Sequence, residues 1–248
     1  MDLLVEDRGA DATVVLFHAA IDPTKTTLPV FVGRQVVEGI DANLIYVSDP
    51  SLDHGASIGW FSGDESRPFQ DDLTACLTHI FANFHPTVAT AELGKKAIFF
   101  GASAGGFAAL YYSHRFADSL AVVSNPQTHI GRYLEPQVKA YRKKCWSSRK
   151  LSETTMTFDL VTEYAKGFDN YVVYLQNKDD ELHFTQHYTP WSRSAAKHSE
   201  RWRLLLGDWG EGHAPAPHTL LMGILGFAAS LDGEWEQLFS DEMFTNSE

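Results

Sequence analysis

Three separated positions in this sequence carry the residue types of a nucleophile, a base and an acid. Ser103 lies in GASAG (101–105), which fits the pattern G-x-S-x-G. A serine hydroxyl is a weak nucleophile by itself, so it needs a base within hydrogen-bond reach and an acid that orients this base. His213 in GEGHAP and either Asp179 or Asp180 in KDDELH supply these two residue types further along the chain.

The glycine-rich stretch around Ser103 has other interpretations. It is also compatible with a turn whose small residues serve only packing, or with a phosphate-binding loop. Its spacing is not G-x-G-x-x-G, it follows the third predicted strand rather than the first, and no Lys-Ser or Lys-Thr pair is present. A position between a predicted strand and a predicted helix therefore favours a nucleophile.

The acid and the base each have a competing candidate nearby. Asp180 is preferred as the acid because it falls three residues after Asn177, where the strand is expected to end, and Asp179 remains an alternative. His213 is preferred as the base because it lies in a glycine-flanked loop, whereas His218 is expected to begin the last helix. The order Ser103, Asp180, His213 along the chain is that of a hydrolase triad.

Acyl chemistry at Ser103 also needs N–H donors for a developing oxyanion. Ala104, the residue after the nucleophile, is expected to supply one backbone N–H. The second is expected from Ala19 or Ala20 in FHAAIDP (17–23), and His18 is a candidate for fixing this loop.

Further polar and aromatic residues follow predicted strands and are candidates for substrate binding. For Trp60 and Trp209 the alternative is packing against the core, and His183 can instead support the acid loop. These candidates are His18, Trp60, Asn125, Gln127, His183 and Trp209. His183 and His187 are spaced i, i+4, which is compatible with a metal site. No HExxH pattern accompanies them, so no metal is predicted.

The surrounding sequence predicts the elements that position these residues. Six apolar runs predict strands, and four stretches between them predict helices. The strands are 13–19, 43–49, 96–101, 120–125, 171–177 and 201–207, and the helices are 30–40, 71–84, 105–116 and 218–231. This alternation predicts the α/β class, with a mostly parallel sheet and helices on both faces.

Residues 1–248 are expected to form a single domain with a helical insertion around residues 132–168. The carboxyl ends of parallel strands lie at one edge of a sheet, and ligands bind there. Ser103, Asp180 and His213 each follow a predicted strand, so the sequence predicts that they meet at this edge.

The composition argues against several other functions. The formal net charge is -12 for 248 residues, and no dense Lys/Arg cluster occurs, which argues against nucleic-acid binding. The two cysteines, Cys76 and Cys145, lack metal or disulfide spacing and favour a reducing compartment. The acidic N-terminal stretch predicts a cytoplasmic protein without stable membrane insertion. No cofactor is expected, since side chains and water suffice for the chemistry, and the oligomeric state stays open.

With GASAGG, the late aspartate and GHAPAP in place, the chain resembles the α/β-hydrolase superfamily from about Thr13 to Leu231. The superfamily's first strands are expected to be missing. GASAGGFAAL, VVSNPQTHIGRYL (122–134) and YLQNKDDELHFTQHYTPW (174–191) are also similar to hydrolase-type proteins of bacterial capsule polysaccharide biosynthesis. The same segments resemble the hydrolase-like domain of accessory secretion-system proteins, which modify glycans on exported glycoproteins.

These resemblances imply a serine hydrolase that cleaves a small-molecule or glycan-linked ester through an acyl-enzyme. The alternative is an O-acyltransferase that passes an acetyl group to a glycan hydroxyl. A hydrolase-fold scaffold without catalysis, in a polysaccharide biosynthesis complex, is the third hypothesis.

Overall fold

The computed structural model describes residues 1–240 and residue 244. Its strands are β1 (Asp2–Glu6), β2 (Thr13–Phe17), β3 (Asn43–Ser48), β4 (Ala97–Ala102), β5 (Leu120–Ser124), β6 (Tyr171–Asn177) and β7 (Trp202–Gly207). They form one seven-stranded sheet in the order β1-β3-β2-β4-β5-β6-β7. Strands β2 to β7 pair in parallel, as predicted, and the α/β class is confirmed.

Strand β1 is the element that the sequence analysis missed. It pairs antiparallel with β3, from Asp2 opposite Ser48 to Glu6 opposite Leu44, so one strand precedes the first predicted strand, at the end of the chain where the superfamily's first strands were expected to be missing. The six predicted strands are recognisable because they are apolar on both faces. Strand β1 is a partly exposed edge strand of five residues, DLLVE, and carries no such signal.

The helices follow most of the predicted pattern. They are α1 (Phe69–Phe84), α2 (Ala104–Ser113), α3 (Glu135–Cys145), α4 (Leu160–Ala165), α5 (Glu181–His183), α6 (Thr189–Ala195), α7 (His218–Ala229) and α8 (Trp235–Phe239). A π-helical segment, Phe184–Tyr188, joins α5 to α6. Helices α3 and α4 fall within the predicted insertion between β5 and β6.

The helix predicted over residues 30–40 is not formed. Only a 3-10 turn, Arg34–Val36, occurs there. Gly33 and Gly39 have φ values of 103° and 75°, which lie outside the range of a right-handed helix. The apolar residues in this segment cover the sheet without forming a helix, since Val36 and Val37 are buried.

Two apolar cores lie on opposite faces of the sheet. Successive strand residues point to opposite faces, so Val15 and Phe17 belong to one core while Val14 and Leu16 belong to the other. Helices α1 and α2 contribute to the first core, and α7 and α8 contribute to the second. Among the described helices, none combines the length and the apolar character needed to cross a bilayer.

Three glycines allow helix α2 to pack directly on the carboxyl edge of the sheet. A Cβ atom on Gly101 would lie 2.1 Å from the carbonyl oxygen of Gly105. A Cβ atom on Gly105 would lie 2.4 Å from the carbonyl oxygen of Phe17, and one on Gly106 would lie 2.6 Å from Cβ of Pro126. Side chains at these positions would push the helix away from the strands.

We predict that Gly101→Ala destabilises the protein by about 3 kcal/mol, because the new methyl group would meet backbone that cannot move aside. Gly223→Ala is the matched control, since Gly223 lies in α7 and a Cβ atom there has no heavy atom within 4 Å. This control should leave stability unchanged or raise it by up to about 1 kcal/mol. Urea unfolding checks both, and equal midpoints for the two variants would contradict the packing account.

Candidate active site

Ser103 occupies the turn between β4 and α2 in a strained backbone conformation. Its φ and ψ are 54° and -115°, a region that residues with a Cβ atom rarely adopt. The Ser103 N–H donates to the carbonyl oxygen of Ser124 (3.0 Å), and the Ser103 carbonyl accepts from Phe107 (3.2 Å) and Gln127 (3.0 Å). These backbone hydrogen bonds hold the side chain above the sheet edge, as the G-x-S-x-G pattern predicts.

The Ser103 hydroxyl oxygen accepts a hydrogen bond from Gln127 Nε2 at 3.0 Å. The Gln127 side chain is fully buried, and its Oε1 accepts a hydrogen bond from the indole N–H of Trp60. Because an indole can only donate, this contact fixes which end of the amide faces the serine. The Ser103 hydroxyl hydrogen remains available for another acceptor.

Asp180 and His213, the residues predicted as acid and base, are hydrogen bonded to each other. His213 Nδ1 lies 2.5 Å from Asp180 Oδ2. Asp180 is 3% exposed and is the N-cap residue of α5, whereas the neighbouring Asp179 is exposed. The structure therefore brings Asp180, and not Asp179, to the imidazole.

A second imidazole shares the same carboxylate. His183 Nδ1 lies 2.9 Å from Asp180 Oδ1, and the His183 ring stacks on the His213 ring with centroids 4.0 Å apart and an interplanar angle of 14°. Burial alone would raise the pKa of Asp180, but the hydrogen bonds from His183 and His213 outweigh it and hold this pKa well below its ordinary range. Burial lowers the pKa of His183, against the opposing hydrogen bond to Asp180.

These contacts set the tautomer of both rings. An ionised carboxylate only accepts, so Nδ1 of each histidine carries the hydrogen and Nε2 of each neutral ring is a bare acceptor. In His213 this is the nitrogen that a general base needs. Among the described residues no hydrogen bond joins Ser103 to His213, and the His213 side chain is 43% exposed.

Two asparagines at the carboxyl ends of adjacent strands hold the His213 loop. Asn125 donates to the carbonyl oxygen of Ala214 (2.8 Å) and accepts from the Asn177 N–H (2.7 Å). The Asn177 amide donates to the carbonyl oxygens of Gly210 (2.7 Å) and Gly212 (2.8 Å). The loop before and after His213 is thus bound to the ends of β5 and β6.

The candidate oxyanion donors lie where α2 meets the loop after β2. The first N–H groups of a helix have no intrahelical acceptor, which leaves the Ala104 N–H available. Gly105 packs against the carbonyl oxygens of Phe17 and His18, so the loop that carries Ala19 and Ala20 lies beside this N–H.

His18 fixes the conformation of this loop. Its Nδ1 donates to the Ala19 carbonyl oxygen (2.7 Å), and its Nε2 accepts from the Asp49 N–H (3.1 Å). Burial lowers the pKa of His18, which favours the neutral ring that this pair of contacts requires.

Three candidate binding residues make extensive contacts within the protein. Trp60 is 1% exposed and packs against Tyr133 and Tyr141, so its face is closed to a sugar. The Asn125 side chain is used by the His213 loop rather than left for substrate hydroxyls. Trp209 packs over Gly207, since a Cβ atom there would lie 2.0 Å from the indole.

The same cluster contains side chains that could bind a metal ion. Ligand atoms of Asp180, His183 and His213 lie within 4.8 Å of one another. They are joined by mutual hydrogen bonds, which an ion would have to replace. His187, the other histidine of the i, i+4 pair, accepts a hydrogen bond from the Thr128 N–H at its Nδ1 (3.2 Å).

Comparison with solved structures identifies the fold. The chain superposes on the capsule O-acetyltransferase of Neisseria meningitidis serogroup A with a TM-score of 0.63 and 12% identity, over 96% of this chain and 89% of that one. MPT51 of Mycobacterium tuberculosis gives 0.57 and 10%, over 95% and 91% of the two chains. The fluorophosphonate-binding serine hydrolase F of Staphylococcus aureus gives 0.55 and 14%, over 93% and 91%.

The protein has the α/β-hydrolase fold, and among its structural relatives is a capsule O-acetyltransferase, in agreement with the resemblance noted in the sequence. No known protein family matches the sequence, and no curated protein matches it either. At this level of identity the likeness shows the fold alone, and the chemistry depends on the residues of the site.

Sequence reasoning missed Asn177 as a positioning residue, and it assigned Asn125 to substrate. Two features of the sequence could have indicated this function. Two asparagines lie at or just beyond the ends of neighbouring strands, and residues 207–212 form a loop with several glycines, which does not fix its own conformation. An amide side chain is suited to bind the free carbonyl oxygens of such a loop.

We predict that His187 makes the protein less stable in mild acid. Burial lowers its pKa from the ordinary 6.5 to about 3, so below pH 6.5 the unfolded chain takes up a proton that the folded chain does not. Stability therefore falls as the pH falls, and His187 accounts for about 1.4 kcal/mol of the loss between pH 7.5 and 5.5.

Urea unfolding at these two pH values measures this loss. His187→Asn should remove about that share of it, whereas His79→Asn, at an exposed position on α1, should keep the wild-type difference. An identical pH difference in the wild type and in His187→Asn would show that the ring does not stay neutral in the fold.

Proposed function

We propose that this protein is a serine hydrolase of the esterase type that works through an acyl-enzyme on Ser103. The observation that carries the proposal is the hydrogen bond between His213 and buried Asp180, located at the same sheet edge as the strained Ser103 turn. A nucleophile, an oriented base and an acid are the groups that acyl transfer from an ester requires.

In the first step the Ser103 oxygen attacks the ester carbonyl carbon, and His213 Nε2 takes the hydroxyl proton. The charged imidazolium is stabilised by the Asp180 carboxylate, which remains ionised because its pKa is lowered. Gln127 stays bonded to the serine oxygen and stabilises the negative charge that builds up as the proton leaves.

The tetrahedral intermediate places its oxyanion near the Ala104 N–H and the loop that carries Ala19 and Ala20. Its collapse breaks the ester C–O bond, and the leaving alcohol receives the proton from His213. Water then attacks the acyl-enzyme with His213 again acting as the base, which releases the acid and restores the Ser103 hydroxyl.

The second candidate function is O-acyl transfer, in which a hydroxyl of a glycan replaces the water of the last step. The structural likeness to a capsule O-acetyltransferase favours this candidate. Incubation with an acetyl ester and a panel of glycans separates the two, because transfer gives an acetylated glycan in the mass spectrum and hydrolysis gives only acetate.

We predict that Ser103→Ala lowers kcat/KM for ester hydrolysis by at least about a thousandfold, because it removes the hydroxyl that forms the acyl-enzyme. The assay is release of 4-nitrophenol from acetyl, butyryl and longer esters, with folding checked by circular dichroism. Ser199→Ala, at an exposed position, should match the wild type. Full activity in a folded Ser103→Ala variant would refute the proposal.

A further inference from the structure

A cavity of about 630 Å³ lies beyond the active site, between α3 and the loops that flank it. Its apolar lining includes Val138, Leu151 and Phe158, whereas Lys139 and Lys150 lie among its polar lining residues. The size is that of a site for an organic ligand rather than for an ion or a few waters.

The charge of this cavity is opposite to that of the protein. The chain has a formal net charge of -12, yet Lys139, Arg142 and Lys150 line the cavity together with a single acid, Glu135. Arg142 is held in place by the carbonyl oxygens of Ser148 and Arg149. Among the described residues, Lys139 and Lys150 do not take part in an ion pair. Their ammonium groups are therefore available to an anion.

Tyr133 connects the cavity to the active site. It lines the cavity, and its ring centroid lies 5.9 Å from that of His183 and 6.2 Å from that of Trp60. His183 binds Asp180, and Trp60 orients the amide that binds Ser103. Through Tyr133 the cavity therefore borders the residues that contact Asp180 and Ser103.

A smaller cavity suits the other half of an ester. It measures about 180 Å³ and lies against Ala19, Ala102 and Pro215, close to the proposed oxyanion donors and the nucleophile. Its remaining lining is mostly apolar and includes Leu16, Val36 and Leu221. This cavity is much smaller than the basic one, so it suits a short acyl chain. The larger, basic cavity, which Tyr133 connects to His183, suits the alcohol part.

We propose that the basic cavity binds the alcohol part of the substrate, and that this alcohol carries an anionic group, a phosphate or a carboxylate, held by Lys139 and Lys150. The inference rests on the proposed function for the assignment of the alcohol side. The ring or chain of the alcohol packs on Val138 and Phe158. For acyl transfer, the same cavity binds the acceptor alcohol.

Equilibrium binding of three sugars to the wild-type protein tests this site without turnover. The probes are glucose, glucose 6-phosphate and glucuronate, titrated by calorimetry at low and at moderate salt. We expect glucose 6-phosphate or glucuronate, whichever carries the anion that the cavity binds, to have at least about fivefold higher affinity than glucose. Salt should reduce this difference. Glucose 6-phosphate and glucuronate distinguish a phosphate from a carboxylate as the natural anion.

Charge-reversal variants with the same change in net charge locate the site. Lys139→Glu and Lys150→Glu should each remove the preference for the anionic sugar, while Lys143→Glu, on the same helix but outside the cavity, should keep it. Equal binding of all three sugars, or an equal effect of Lys143→Glu, would overturn the assignment. Because no ester is cleaved, a failure here is distinct from a failure of the Ser103 assay.

Discussion

The Asp180 carboxylate accepts a hydrogen bond from a different imidazole on each of its two oxygens, and the site depends on this arrangement. A buried carboxylate is costly unless it is paired, so the two contacts stabilise its ionised form. They also fix the Nδ1–H tautomer of His183 and His213 and stack the rings against each other. The basic nitrogen of His213 is thereby directed away from the acid.

The rest of the fold brings Ser103, the proposed nucleophile, to the same edge. The glycines around Ser103 let helix α2 approach the strands, and the left-handed backbone of Ser103 is maintained by contacts from β5 and from the loop after it. Strain of this kind costs about 1–3 kcal/mol and persists only where the surroundings fix it. Asn125 and Asn177 perform the corresponding function for the His213 loop, which has glycine at several positions.

The sequence predicts the main parts of this site because they leave local patterns. Ser103 lies in a pentapeptide motif, and the strands before it are apolar on both faces. The partners of Gln127, Asn125 and Asn177 leave no such pattern, because their contacts join residues 24 to 89 positions apart. Strand β1 was not predicted for a related reason, because an edge strand is only half buried and lacks a continuous apolar run. Local sequence therefore indicates the reacting groups better than the groups that hold them.

The most direct test of the central claim is the reaction of the folded protein with a fluorophosphonate probe, with the modified peptide mapped by mass spectrometry. The account predicts phosphonylation of Ser103, slowed at least about a hundredfold in His213→Asn and unchanged in His79→Asn, at an exposed position on α1. A folded protein in which Ser103 is not modified, or is modified equally fast without His213, would contradict it.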